Sequence, residues 1–268
     1  MNIQQVCGIF FSPTGHTREV VQHIAESLGE KIQLHDATSF TMGTLHRTFS
    51  AEDLVVVGAP VYGGRIPVLA RERLREIKGA GTPAVVVVTY GNRAYEDALL
   101  ELKTVLEEAN FCVIAAAAVV TEHSIVHTVG RFRPEENDWK EIDTFLAQVK
   151  QQLSNTIRPL CFVPGNRPYR TYKGIPLKPK VNKDCTACGF CARECPANAI
   201  PEQKPQTTDW KKCISCMRCV TYCPQEARYL SKWKYWIVAQ KLERHCAQRR
   251  ENAFFYEPHS AQTDEIKL

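Results

Sequence analysis

No stretch of about 18 consecutive apolar residues occurs in the 268-residue chain, so no segment suits a membrane-crossing helix. The first residues, MNIQQVCGIFF, lack the basic region, apolar core and small-residue cleavage site of a secretory signal, and a cytoplasmic location is expected. Neither a G-x-x-x-x-G-K-[ST] phosphate loop nor a G-x-G-x-x-G dinucleotide fingerprint is present. No recognised nucleic-acid module is visible, and no residue set reads as acid, base and nucleophile for a defined substrate. What the chain does hold is cysteine, twelve in all. In a cytoplasm that keeps thiols reduced, these read as metal ligands before disulfides.

The net charge of +5 conceals an asymmetry. Residues 1–156 carry 14 Lys and Arg against 19 Asp and Glu, whereas residues 157–268 carry 20 against 10. A basic half can signal nucleic acid. Metal–thiolate clusters are themselves anionic, however, and offset part of that excess. The remainder reads as a solvated or docking surface, and no nucleic-acid partner is expected.

The first half alternates apolar runs with helical spacing. Strands are expected at 6–11, 31–35, 54–58, 84–90 and 112–120, and helices at 17–29, 67–78, 95–109 and 135–153. Strands apolar throughout and separated by helices argue for a parallel sheet covered on both faces. The expected fold class is α/β, a doubly wound five-stranded parallel sheet, for which 2-1-3-4-5 is one common order. Cys7 and Cys112 fall within strand patterns and read as small core side chains.

The pattern stops near residue 156. Five prolines (Pro159, Pro164, Pro168, Pro176 and Pro179) mark an extended, basic linker that includes Lys173, with Tyr169 and Tyr172 as candidate anchors on a domain surface. Next, CTACGFCARECPANA (185–199) and CISCMRCVTYCPQEA (213–227) align without a gap at an offset of 28, implying two similar half-units. Residues 231–250 read as one basic amphipathic helix whose Trp233, Trp236 and Ile237 are expected to pack on the domain. The tail from about 256 reads as polar and loosely held.

Each repeat is a C-x2-C-x2-C-x3-C-P run. Three cysteines separated by two intervening residues wrap three corners of a cubane in one tight loop, and in such runs the fourth ligates the other cluster. Cluster I is therefore expected on Cys185, Cys188, Cys191 and Cys223, and cluster II on Cys213, Cys216, Cys219 and Cys195. A pair of zinc knuckles is the alternative, but two four-cysteine runs each closed by proline exceed that demand. Cys161 and Cys246 carry no ligand signal. Over about residues 181–230 the sequence resembles the bacterial two-cluster ferredoxins.

The first strand runs into Ser12-Pro13-Thr14-Gly15-His16-Thr17 and then a helix. Hydroxyls and glycine at a helix N-terminus make an anion site, because backbone N–H groups and the helix dipole favour negative charge. Plain capping is the competing reading. Two further loops follow strand ends: Pro60-Val61-Tyr62-Gly63-Gly64-Arg65, and Thr89-Tyr90-Gly91-Asn92-Arg93-Ala94-Tyr95. Both pair glycines with tyrosines, at the edge where open α/β sheets bind ligands. Glu122-His123-Ser124 after the last strand is a further candidate rim. The three loops resemble those of flavodoxins, which implies FMN held by Ser12, Thr14, Gly15, His16 and Thr17 at its phosphate. The same resemblance implies Pro60, Val61, Tyr62, Gly63, Gly64, Thr89, Tyr90, Gly91, Asn92, Arg93 and Tyr95 around its ring. Arg65 or Arg93 would favour the anionic reduced flavin if a guanidinium reached the ring.

Nearly the whole chain resembles the flavodoxin–ferredoxin fusion proteins of prokaryotes. It departs from them at Val129-Gly130-Arg131-Phe132-Arg133-Pro134, where relatives have a shorter Gly-Arg-Pro run. The resemblance implies an FMN-binding domain over 1–156, the linker over 157–180, a small α+β domain with two [4Fe–4S] clusters over 181–230, and a basic helix and tail over 231–268. It implies electron relay between clusters and FMN, exchanged with a redox partner such as a ferredoxin, a flavodoxin or a reductase. An FMN-dependent reductase of a quinone or nitro compound is the alternative, and a cluster-based redox sensor a third reading. The linker permits transfer within one chain or across a homodimer.

Overall fold

The computed structural model describes residues 3–39, 47–155, 157–172 and 174–257. The elements of the first half are β1 (Gln5–Phe10), α1 (His16–Leu28), β2 (Ile32–Asp36), β3 (Thr48–Phe49), β4 (Asp53–Pro60), α2 (Val68–Leu74), β5 (Lys78–Gly79), β6 (Thr82–Tyr90), α3 (Ala98–Glu108), β7 (Phe111–Val120) and α4 (Glu136–Ser154). The second half contributes β8 (Lys180–Val181), α5 (Phe190–Arg193), α6 (Arg218–Thr221), β9 (Arg228–Tyr229), α7 (Lys232–His245) and β10 (Ala253–Tyr256).

Five strands run parallel in the order β2-β1-β4-β6-β7, which is 2-1-3-4-5 when only the long strands are numbered. Every residue of β6 is buried, as its run of valines requires in a strand covered on both faces. One face packs on α2 and α3, with Leu74, Leu99, Leu102 and Leu106 fully or almost fully buried. The other packs on α1 and α4 through Val20, Ile24, Ile142 and Val149. The helix expected over 67–78 is shorter, Val68–Leu74. The chain then turns so that Lys78 and Gly79 pair with Thr48 and Phe49 as a separate two-stranded sheet.

The sheet has a sixth strand. β10 pairs antiparallel with β7, Ala253 opposite Ala118 and Tyr256 opposite Ala115. The expected helix and tail are thus corrected: the helix ends at His245 and the chain returns to the first domain. Once paired, the side chains of β10 point alternately to the two faces of the sheet. Phe254 stacks on Phe145 at 5.0 Å on the α4 side, while Ala253 and Phe255 pack on the opposite face. Asn252 secures the turn, accepting from the Val120 amide at 2.9 Å and donating to Asp138 at 2.9 Å and Glu141 at 2.6 Å. The remaining tail and Lys173 lie outside the described residues.

The proline-rich linker is a docked strap. The Leu160 amide donates to Val113 O at 2.7 Å, and Leu160 and Val163 enter the core. Asp97 accepts from the backbone amides of Asn166 and Arg170, at 2.9 and 2.7 Å. Tyr169 lies under the Arg65 guanidinium and donates to Thr104.

The internal repeat is visible in the backbone. Left-handed residues recur at the same 28-residue offset: Ala187 with Ser215, Gly189 with Met217, and Asn198 with Glu226. Gly189 and Met217 each precede one turn of helix, α5 and α6, and β8 pairs antiparallel with β9.

Candidate functional site

The loops after β1, β4, β6 and β7 meet over the carboxyl edge of the sheet, where an open α/β sheet binds its ligand. They enclose a cavity of about 760 Å³, including its space open to solvent. Thr14, His16 and Thr17 line it from the first loop. The hydroxyls of Thr17 and Thr89 share a 2.7 Å hydrogen bond that ties the first loop to the end of β6. Gly15 adopts φ +100°, which favours glycine, and α1 begins there with no side-chain cap. Pro60 to Gly64 line the second side, and Thr89, Tyr90, Gly91 and Arg93 the third.

Four predicted residues do not line the cavity. Ser12 is buried and its Oγ accepts from the Arg18 amide in the first turn of α1 at 2.9 Å, so its hydroxyl is taken up by the backbone. Gly15 supplies the turn. The Asn92 side chain points to the C-terminal segment, donating to Cys246 O and Gln248 O and accepting from the Arg250 amide. Tyr95 packs edge-on against Tyr90 at 5.4 Å. Arg65 is also turned away: its guanidinium is clamped by Glu101 at 2.7 Å through both Nε and Nη2. Arg93 does line the cavity, held by Glu96 at 2.8 Å, so its charge is partly compensated.

Sequence reasoning missed two walls. Ile175 of the strap and Leu242 of α7 complete the cavity beside Ile125. Leu242 follows the helical spacing of Tyr235, Val238 and Ala239, the face that packs against Val126, Met217 and Leu177. That spacing was available in the sequence, but not what the face would meet. The expectation for Trp233, Trp236 and Ile237 is overturned: they occupy the outer face and are 63%, 64% and 49% exposed. The inner face of α7 is filled by the smaller residues instead.

The polar lining is tuned by burial. His123 Nδ1 accepts from the Ile125 and Val126 amides at 3.1 Å each. Burial first, then His127 and Arg93, lower its pKa to about 4, so the ring is neutral near pH 7. Burial first, then Tyr95, pushes the Tyr90 phenol up to about 12, and its hydroxyl donates to Glu251 O. Burial first, then Cys216, Tyr172 and Cys213, raises the Tyr62 phenol well above its usual range.

The eight motif cysteines separate into two further cavities. One, of about 330 Å³ including its space open to solvent, is lined by Cys185, Cys188, Cys191 and Cys223. The other, of about 370 Å³ including its space open to solvent, is lined by Cys195, Cys213, Cys216 and Cys219. Each set takes three cysteines from one repeat and the fourth from the other. Apart from cysteine the second cavity is mostly apolar, with Pro196, Ala199, Ile200 and Met217 on its wall. Burial pushes the Cys219 thiol up to about 12 and Cys216 higher still. These thiols stay protonated until a cation is bound, as soft-metal ligands do. Among the described residues no three His, Cys, Asp or Glu side chains converge closely enough for one ion. Four soft donors spread around each cavity fit a multi-iron cluster. The cavity at the sheet edge fits FMN: a helix N-terminus at one end for the phosphate, and glycine loops with Tyr62 and Tyr90 for the ring.

Cys7 is fully buried in the core. Cys112 packs partly buried on the opposite face, Cys161 is exposed, and Cys246 is buried under α7.

No helix among the described residues is long and apolar enough to cross a membrane. No curated protein matches the sequence. Among solved structures, the chain is similar to rubredoxin oxygen:oxidoreductase from Desulfovibrio gigas (17% identity, 56% of this chain, TM-score 0.42), spanning 36% of that protein's length. It is similar to a Streptococcus pneumonia TIGR4 flavodoxin (18% identity, 55% of this chain and 99% of that one, TM-score 0.38). It is also similar to a flavodoxin from the domain Archaea (11% identity, 57% of this chain and 100% of that one, TM-score 0.39). Residues 9–98 match the flavodoxin domain family, and residues 179–200 and 207–229 match the 4Fe-4S binding domain family. A flavodoxin domain, which implies FMN, is followed by two 4Fe-4S segments, which imply two [4Fe–4S] clusters, and the chain is accordingly a flavodoxin–ferredoxin fusion.

Proposed function

We propose that this electron-transfer protein relays electrons between two [4Fe–4S] clusters and FMN and exchanges them with a redox partner protein, a ferredoxin, a flavodoxin or a reductase. The observation that carries this reading is the presence, in one chain, of a cavity at the sheet edge bounded by a helix N-terminus and two glycine–tyrosine loops, and of two four-cysteine cavities. FMN takes up one or two electrons and a cluster passes one, so together they couple carriers of different stoichiometry. We assign one cluster to Cys185, Cys188, Cys191 and Cys223, and the other to Cys195, Cys213, Cys216 and Cys219. The protein's own part is to exclude water with Ile125, Ile175 and Leu242 and to hold the phosphate end between Thr14, His16 and Thr17. His123 and Tyr90 stay neutral beside the ring site. Arg93 is the cation at that site, and Glu96 limits its effect.

The division into 1–156, 157–180, 181–230 and 231–268 belongs to the same proposal, with β10 returning to the first unit, as does a cytoplasmic location. Anaerobic reconstitution tests the reading. The full chain is expected to bind FMN and about eight irons, as two cubanes require, and to show flavin and cluster signals on stepwise reduction. Absence of FMN, or a markedly lower iron content, overturns it. Turnover of a quinone or nitro compound with no protein partner would point instead to a reductase.

A further inference from the structure

The two cysteine cavities have different surroundings, although their loops are copies. The loop carrying Cys213, Cys216 and Cys219 lies against the flavodoxin domain. Ile214 packs on its core. Ser215 Oγ donates to the carbonyl of Ile175, a wall of the flavin cavity, at 3.2 Å. Arg218 Nη1 donates to the carbonyl of Pro13, another wall, also at 3.2 Å. On the same side, Arg73 donates to the carbonyl of Pro196, next to Cys195, at 2.6 Å.

The loop from Cys185 to Cys191 shows none of these ties among its described contacts; the bond from Arg73 reaches only the far end of that copy, beside Cys195. Arg193 donates to Cys188 O at 3.3 Å, and Cys191 Sγ contacts Pro205 O at 3.9 Å, both within the cysteine-rich unit. Lys183, Asp184, Thr186, Ala187 and Cys188 are exposed. Cys188 is thus open to solvent where its repeat counterpart Cys216 is 8% exposed.

We infer that the two cluster sites stand in series within one chain: Cys195, Cys213, Cys216 and Cys219 form the inner site beside the flavin cavity, and Cys185, Cys188, Cys191 and Cys223 form the outer port for a one-electron carrier protein. This rests on the cofactor reading proposed above. Electron transfer weakens steeply with distance, and the flavin cavity is walled by Ile175 and Leu242 against direct approach of a protein. Each encounter at the outer port moves one electron between carrier and cluster, so a two-electron change of the flavin balances two carrier molecules changed by one electron each.

The test uses emission from bound FMN, which a neighbouring cluster quenches. In the anaerobically reconstituted full chain, Cys219→Ser is expected to raise flavin emission at least roughly fivefold, and Cys188→Ser to leave it within about twofold of the unaltered protein. Iron and FMN are counted in each variant, because a cysteine variant can lose both clusters. Lys183→Glu, which keeps every cysteine, is expected to slow reduction by a purified, reduced two-cluster bacterial ferredoxin severalfold, with emission and iron content unchanged. Equal emission in the two cysteine variants, each retaining one cluster, overturns the order, and an unchanged rate in Lys183→Glu overturns the outer port. Failure of the unaltered chain to bind FMN or about eight irons would instead sink the underlying cofactor reading.

Discussion

Asn92 was expected beside a flavin ring, and the structure makes it the peg that holds the C-terminal segment to the β6 loop. Its amide donates to Cys246 O at 2.9 Å and Gln248 O at 3.0 Å, and its carbonyl accepts from the Arg250 amide at 2.8 Å. The residue is 6% exposed and sits at φ +51°. Asn92→Ala deletes three hydrogen bonds, at about 1 kcal/mol net each. Alanine in the left-handed region adds roughly 1 kcal/mol. The expected loss is about 4 kcal/mol, capped by the free energy that holds β10 on the sheet, because the segment can detach locally. Asn92→Gly loses the same bonds without the backbone strain and is expected to be less damaging by about 1 kcal/mol. Denaturant unfolding gives the global change, and amide hydrogen exchange at Phe254 and Phe255 reports local detachment. If Asn92→Ala stays within about 0.5 kcal/mol of the unaltered protein and β10 exchange is unchanged, the peg argument is wrong.

Three further outcomes are expected. Gly64 sits at φ +86°, and a Cβ there would collide with Glu96 Oε2, so Gly64→Ala should displace the carboxylate that pairs with Arg93 and weaken FMN binding by about tenfold or more in a fluorescence titration. Leu242→Asp puts a charge in the cavity wall and should likewise weaken FMN binding, by roughly tenfold, while the far-ultraviolet dichroism stays unchanged because α7 keeps its other contacts. The folded-state pKa of His123 is lowered to about 4, below its ordinary value of about 6.5. The unfolded chain then binds more protons across that window, so the contribution of His123 is complete above about pH 6.5 and is lost as pH falls toward about 4. His123→Gln should therefore flatten the stability–pH curve between those limits, and identical curves would count against a buried neutral ring.

The strands and helices of the first half could be read within a few residues because each is a local pattern. LVVVG and AVVVVTY admit little but a doubly covered strand, and VVQHIAESL has one apolar stripe. AFFY at 253–256 escaped notice because four residues after a charged stretch carry no periodic signal until an open edge beside β7 is known to exist. The shortened α2 has a similar cause: Lys78 and Gly79 follow a helical pattern but are claimed by pairing with Thr48 and Phe49. Ser12, Asn92 and Arg65 share the composition of ligand-binding loops. Whether such a side chain faces the cavity or a neighbouring backbone depends on partners such as Arg18, Arg250 and Glu101.

The ordered spacing of the cysteines and the 28-residue repeat were sufficient, by themselves, to specify two four-cysteine groups that exchange their fourth members, because a tight loop can reach only three corners of a cubane. They treated the two groups as equals. Tertiary packing alone broke that symmetry. It set Ile214, Ser215 and Arg218 against the flavodoxin domain and left Thr186, Ala187 and Cys188 of the other copy in solvent. Ligand geometry is a property of short sequence spacing, whereas the order of cofactors depends on which face of a repeat finds a complementary surface elsewhere in the chain.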